Sequence, residues 1–232
     1  MTEDLVAANR ILVNEGVLDA FGHVSLRHPA KPGRYLMGRN LAPALVTAAD
    51  IVEYDLDGNP IDAPANFTHF LERFIHGEIY RARSDVNAVV HSHSPTVIPF
   101  SVTGRPLQPL YHMTSFLYPG VPVFEIRDAA GMTDMLIGNG ELGRALAKTL
   151  ADKNVALMRG HGNVVVAGTL PMAVFRAVYT EVNARLQMQA IALGGTINFL
   201  APAEGEKAMQ VLERIHLRAW DVWKRAAANA GR

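Results

Sequence analysis

The stretch from Asn87 to Val97, NAVVHSHSPTV, decides the fold. Ala88, Val89 and Val90 are apolar and largely β-branched, as a core strand should be. Residues two apart leave a strand on the same face, so His91 and His93 point one way, about 7 Å apart at Cα. Ser94 and Pro95 follow, a natural N-cap with proline at the first helical position. The two histidines therefore stand where a strand ends and a helix begins, the edge at which open α/β sheets receive ligands.

Outward from that strand the pattern alternates. Upstream, Phe67 to Arg83 reads as a helix leading into it. Before that come the short strands HVSLRHP and RYLM, a one-turn helix capped by Thr47, and the strand DIVEYD ending at the turn DGNP. The first helix carries Leu5, Ala8, Ile11 and Leu12 as its apolar stripe, and Gly16 closes it. Downstream, a Pro/Gly-rich middle leads to a strand in GVPVFEI and a helix in GELGRALAKTL. NVALMRGHGNVVVAG then reads as a hairpin of two buried strands. A long helix opens at Pro171 and runs to about Leu193, and Glu204 to Ala228 is mostly helical. Uneven alternation of this kind, with no internal repeat or linker, predicts one α/β domain over residues 1–232 with a mixed sheet.

Of the 232 residues 49% are hydrophobic, enough for one large core. Lys+Arg and Asp+Glu are both 22, so electrostatics gives no reason to expect nucleic acid or an anionic membrane as partner. With no cysteine, disulfides and thiolate metal sites are excluded. Neither a signal peptide nor a membrane span is legible, and a cytoplasmic protein is expected.

The paired histidines gain meaning only with further ligands. His161 lies between two glycines in MRGHGNVVV, where the backbone can bend or be approached closely. Glu72 lies on a helix face with His76 four residues on. Three histidines and a carboxylate suit one divalent ion, Mn2+ or Zn2+ ahead of Fe2+, provided the imidazoles have hydrogen-bond acceptors behind them. Taken singly, each of these residues reads more readily as polar surface or a satisfied core group than as a ligand.

Their order, with its wording, resembles the class II aldolase/adducin family. The resemblance rests on FGHVSLR, TAADIVEYDLDGNP, ERFIHGEIYRARSDVNAVVHSHS and LMRGHGNVVVAG, and it covers Glu15 to about Gly168. It implies a three-layer α/β/α sandwich around a mixed, largely antiparallel sheet, commonly tetrameric with sites at subunit interfaces. It carries metal binding to His91, His93 and His161, and the role of fourth ligand or acid/base to Glu72.

The departures from the sugar-phosphate members are as informative. Where those read Gly-Asn, Thr-Pro-Ser-Gly and Ser-Ser-Glu, this chain has Gly22-His23, MGRN with Arg39 and Asn40, and Phe70-Leu71-Glu72. Two bulky apolar residues cannot solvate a phosphate dianion. Phe70 and Leu71 can instead wall a flat ring, and Arg39 offers a fork to a carboxylate, unless it is only a loop arginine. The wording from Ile75 to Phe100 is similar to decarboxylases of hydroxylated aromatic or pyridine dicarboxylates. That resemblance implies a metal-dependent carbon–carbon lyase acting on a small carboxylated substrate. The alternatives are an aldolase for a non-phosphorylated carboxylated substrate and a non-catalytic adducin-like interaction domain. Ring protonation after loss of CO2 needs a general acid. His112, which aligns with a proton-donating tyrosine of the aldolases, is the first candidate, with His76 and Glu72 behind it. Arg159 either reaches substrate or pins the loop before His161.

Overall fold

The computed structural model describes residues 1–230. The chain opens with α1 (Thr2–Asn14), β1 (His23–Arg27), β2 (Arg34–Gly38), β3 (Ile51–Asp55) and β4 (Pro60–Ile61). It continues with α2 (Phe74–Ala82), β5 (Ala88–Ser92), α3 (Ile98–Val102), β6 (Val123–Phe124), α4 (Ile126–Ala130) and α5 (Gly140–Leu150). The hairpin β7 (Val155–Met158) and β8 (Gly162–Ala167) follows, then α6 (Leu170–Leu193), α7 (Pro202–Ile215) and α8 (Leu217–Ala230).

The strands join in one sheet of order β4-β3-β2-β1-β5-β8-β7-β6, antiparallel throughout except for the parallel β6–β7 pair. The mixed, largely antiparallel sheet expected from the sequence is therefore present. Its middle strands are buried on both faces, which is why β5 and β8 read as near-continuous valine runs rather than alternating ones. Within β8 the period of two sorts the side chains: Val164 and Val166 join the core beneath α2 and α5, while Val165 and Ala167 join the core beneath α1, α6 and α8. Helices thus cover both faces, giving the three layers. No helix among the described residues is long and apolar enough to cross a membrane.

Three local expectations differ from the structure. The helix expected from Phe67 begins only at Phe74, after a single tight turn at Leu71–Arg73. Tertiary bonds win there: the Arg73 guanidinium donates to the Gly58 and Phe70 carbonyls, and a Glu72 oxygen accepts the Ile137 N–H. Ser94 does not cap a helix, because its hydroxyl donates to the carboxyl group of Glu181 on α6, and α3 starts only at Ile98. The strand in GVPVFEI shrinks to Val123–Phe124, since Glu125 accepts the Arg127 N–H and caps α4. The tail is helical as expected, as two helices parted at His216, whose Nδ1 lies 3.1 Å from the Glu213 carbonyl. Thr47 behaves as expected, exchanging bonds with Asp50 around a one-turn helix.

Candidate metal centre

Three segments distant in sequence converge at one edge of the sheet. His91 is the next-to-last residue of β5, and His93 follows as the chain leaves the strand. His161 occupies the elbow between β7 and β8. The elbow depends on its two glycines. Gly160 has φ +63°, and a Cβ on Gly162 would lie 2.1 Å from the Ser92 carbonyl oxygen, so only glycine lets the hairpin close against the end of β5. Glu72 comes from the tight turn before α2.

The ligand atoms of Glu72, His91, His93 and His161 all lie within 4.8 Å of one another. Oε2 of Glu72 is 3.5 Å from Nε2 of His91 and of His161, and the Nε2 atoms of His93 and His161 are 3.1 Å apart. Such spacings suit donors around one divalent ion at about 2.1 Å. The groups behind them fit as well. Nδ1 of His91 faces the Asn163 carbonyl and Nδ1 of His161 faces the Met135 carbonyl, each at 3.1 Å. A carbonyl can only accept, so both rings carry their proton on Nδ1 and present a lone pair at Nε2. Nε2 of His91 is buried with no hydrogen-bond partner, an orphan acceptor that a cation would satisfy.

The electrostatics agree. Burial works to raise the Glu72 pKa, but the imidazoles of His161 and His91 outweigh it and hold the carboxyl well below the usual range. Burial, followed by His91 and His161, pushes His93 down to about 4, so it stays neutral and able to ligate. His161 is raised: burial opposes protonation, yet the Glu72 carboxylate and the Met135 carbonyl prevail.

Beside this cluster runs a buried polar chain. His23 on β1 pairs with His91 across the ladder, their ring centroids 5.0 Å apart. Its Nδ1 is 2.6 Å from Nε2 of His76, whose Nδ1 is 2.6 Å from the Ser25 hydroxyl, which is 2.7 Å from the Tyr80 hydroxyl. Burial and then His91 push His76 down to about 3, and burial, His76 and His91 hold His23 well below its ordinary value. Both His76 nitrogens are engaged and the residue is fully buried, so it stands behind His23 rather than facing a substrate. Ser25 and Tyr80 escaped the sequence reading. Their signal was the spacing: His23 and Ser25 share one strand face, and His76 and Tyr80 share one helix face.

Phe70 packs on His23 at 4.7 Å between centroids, while Leu71 is half-exposed next to Gly138. Arg39 continues from β2 beside them. Its Nε donates to Asp50 at 2.6 Å, its guanidinium lies 6.0 Å from the Phe67 ring, and Asn40 is tied to Thr68 by its backbone. Arg159 ion-pairs with Glu125 at 2.5 Å, the loop-pinning contact. His112 is exposed and lines a groove of about 430 Å³ with Phe175, Tyr179 and Trp223, on the α6–α8 side. The chain does not itself bring His112 into contact with the four ligands. Glu181, a buried carboxyl that holds Ser94 and Thr96 after the paired histidines, was not legible beforehand.

Residues 3–188 match the model of the Class II Aldolase and Adducin N-terminal domain. The chain is 36% identical to decarboxylase tropJ of Talaromyces stipitatus, over 97% of this chain and 93% of that protein. It is 31% identical to 3,4-dihydroxyphthalate decarboxylase of Arthrobacter keyseri, over 87% of this chain and 83% of that one. Among solved structures, L-fuculose 1-phosphate aldolase from Glaciozyma antarctica PI12 superposes with a TM-score of 0.81 at 25% identity, covering 99% of this chain and 89% of that chain. Sequence, fold and site agree: the chain belongs to the class II aldolase and adducin family, in which it is similar to the decarboxylases.

Proposed function

We propose that the protein is a metal-dependent carbon–carbon lyase that decarboxylates a hydroxylated aromatic or pyridine dicarboxylate, acting in the cytoplasm as a homotetramer. The observation that carries the reading is the convergence of Glu72, His91, His93 and His161, with their acceptors in place, beside an apolar wall where sugar-phosphate enzymes need hydroxyls. These four residues would hold one divalent ion, Mn2+ or Zn2+ rather than Fe2+. When bound, it supplies Lewis-acid stabilisation of the charge that develops as CO2 leaves.

The chain's own residues do the rest. Phe70, backed by His23, offers a face for a flat ring, and Leu71 closes its rim. Arg39 has Nε committed to Asp50, which fixes the plane of the guanidinium and leaves both terminal nitrogens for the carboxylate that is retained. Asn40, anchored by its backbone, adds an amide at the same rim. Arg159 contributes through the elbow it pins, and reaches substrate only if it releases Glu125. Glu72 is held ionised, which suits a permanent ligand better than an acid. For proton return to the vacated carbon His112 is kept as the donor, reached across a subunit interface of the kind the family resemblance implies.

CO2 release from a panel of hydroxylated benzene and pyridine dicarboxylates, 3,4-dihydroxyphthalate among them, tests the reading. Release from at least one panel member, abolished by removing the metal, is expected. Cleavage of a carboxylated aldol substrate with no CO2 would favour the aldolase alternative. Inactivity of the metal-loaded protein on all of them would favour an interaction domain.

A further inference from the structure

Three imidazoles around the site present lone pairs or stand ready to. His23 is built differently. Its Nδ1 is the last link of the buried chain Tyr80–Ser25–His76–His23, and the direction of that chain fixes what its other nitrogen offers.

The Tyr80 hydroxyl is fully buried with its ring, and Ser25 Oγ is its one hydrogen-bond acceptor among the described residues, since the Val89 N–H beside it can only donate. A phenol has a single proton, which burial leaves nowhere else to go. Burial also pushes the phenol's pKa well above its ordinary value, so the proton stays on the oxygen at neutral pH. If Tyr80 donates to Ser25, the serine proton must go to Nδ1 of His76, its remaining partner. His76 is then protonated on Nε2 and donates to Nδ1 of His23. The neutral His23 ring must therefore carry its own proton on Nε2. The reverse order would strand the tyrosine O–H in the core without an acceptor, the costlier arrangement.

We infer that the Tyr80–Ser25–His76 chain locks His23 as a neutral imidazole donating Nε2–H to a carboxylate oxygen of the substrate beside the metal ligands. The inference rests on the dicarboxylate reading above and adds its specificity determinant: His23 binds substrate, and Ser25, His76 and Tyr80 are positioning residues. An N–H at this point repels a cation, which keeps His23 out of the ligand set although its ring lies 5.0 Å from that of His91. The ring is also braced, with Phe70 at 4.7 Å and His76 at 4.8 Å between centroids, both tilted against it.

Two measurements on protein loaded with Zn2+ as a diamagnetic probe test this. In 15N-histidine spectra, with the His23 signals assigned from H23A, Nδ1 of His23 should appear unprotonated and Nε2 protonated, with the same pattern in His76. Tyr80→Phe, which removes the terminal proton without changing shape, should mix the two His23 tautomers. A protonated Nδ1 on His23 in the wild type would overturn the inference. In the second arm, binding of phthalate, which has the two carboxylates but no hydroxyl, is compared with binding of benzoate. H23A should weaken phthalate about 10- to 100-fold, and H23Q, which keeps an N–H donor, should restore most of it. Benzoate should change by less than about threefold. Wild-type binding of phthalate with no loss in H23A overturns this inference. A wild type that neither binds phthalate nor releases CO2 from the dicarboxylate panel overturns the functional reading itself, with the tautomer spectra still deciding the direction of the chain.

Discussion

At the scale of single residues, protonation is set by what stands behind each ring. His91 and His161 have backbone carbonyls at Nδ1 and offer lone pairs, and replacing His91 or His93 with alanine should remove the bound ion. Metal analysis of the purified variants checks this: less than about one-tenth of an equivalent is expected, with turnover lost and the far-UV spectrum unchanged. Arg39 is the proposed carboxylate clamp. Arg39→Ala should lower kcat/KM for the dicarboxylate about 10- to 100-fold at unchanged metal content, as expected for one charge-assisted contact. Arg39→Lys should recover only part, since an ammonium cannot both hold Asp50 and fork a carboxylate. Near-normal kcat/KM in the alanine variant would make Arg39 a loop arginine held by Asp50 alone.

At the scale of elements, the His161 elbow and the loop after His93 are held by features of unequal legibility. Gly162→Ala would drive a methyl into the Ser92 carbonyl, so the hairpin must shift off β5. A loss of roughly 2–4 kcal/mol is expected, read as a lower urea midpoint together with weakened metal binding. Glu181→Ala should leave the Ser94 and Thr96 donors unpaired and cost about 2–3 kcal/mol in the same assay, whereas Glu181→Gln keeps an acceptor and should cost less. The sequence announced the first feature and hid the second. Glycines flanking a histidine, valine runs and a His-x-His strand end are local patterns with local causes, and β5, β7 and β8 lie where those patterns put them. The late start of α2 and the uncapped Ser94 follow from partners 65 and 87 positions away, Ile137 and Glu181, which no window of local sequence contains. Likewise Ser25 and Tyr80 look ordinary until β1 and α2 face each other.

At the scale of the whole molecule, burial of the histidine chain makes stability depend on pH. His76 is held neutral down to about pH 3 in the folded protein, while the unfolded chain protonates it near 6.5. The unfolded state therefore binds more protons across that window, and stability falls as the pH drops below 6.5, by up to about 1.4 kcal/mol per unit. Glu72 acts in the same direction lower down: its depressed pKa stabilises fully above about 4.5 and is lost as the pH falls through its folded value. Unfolding free energies from urea titrations at pH 7 and 5 should differ by about 1–3 kcal/mol, and His76→Gln should flatten the difference. Fuculose and ribulose phosphates should be neither cleaved nor epimerised if, as the sequence resemblance implies, Phe70 and Leu71 replace the serines of the phosphate site; brisk turnover of either would sink the substrate class. The strand order has one further consequence, for biosynthesis. β1 to β5 form a contiguous antiparallel half made from residues 23–92, but the neighbour that completes β5 is β8, the last strand to be synthesised. Until it arrives, the edge of β5 that carries His91 is bare, and a ribosome-bound chain has two histidines and a glutamate with no elbow to close over them. Metal loading must therefore wait until residues 161–167 have emerged, and the translating intermediate before that point is the form most exposed to strand-edge association.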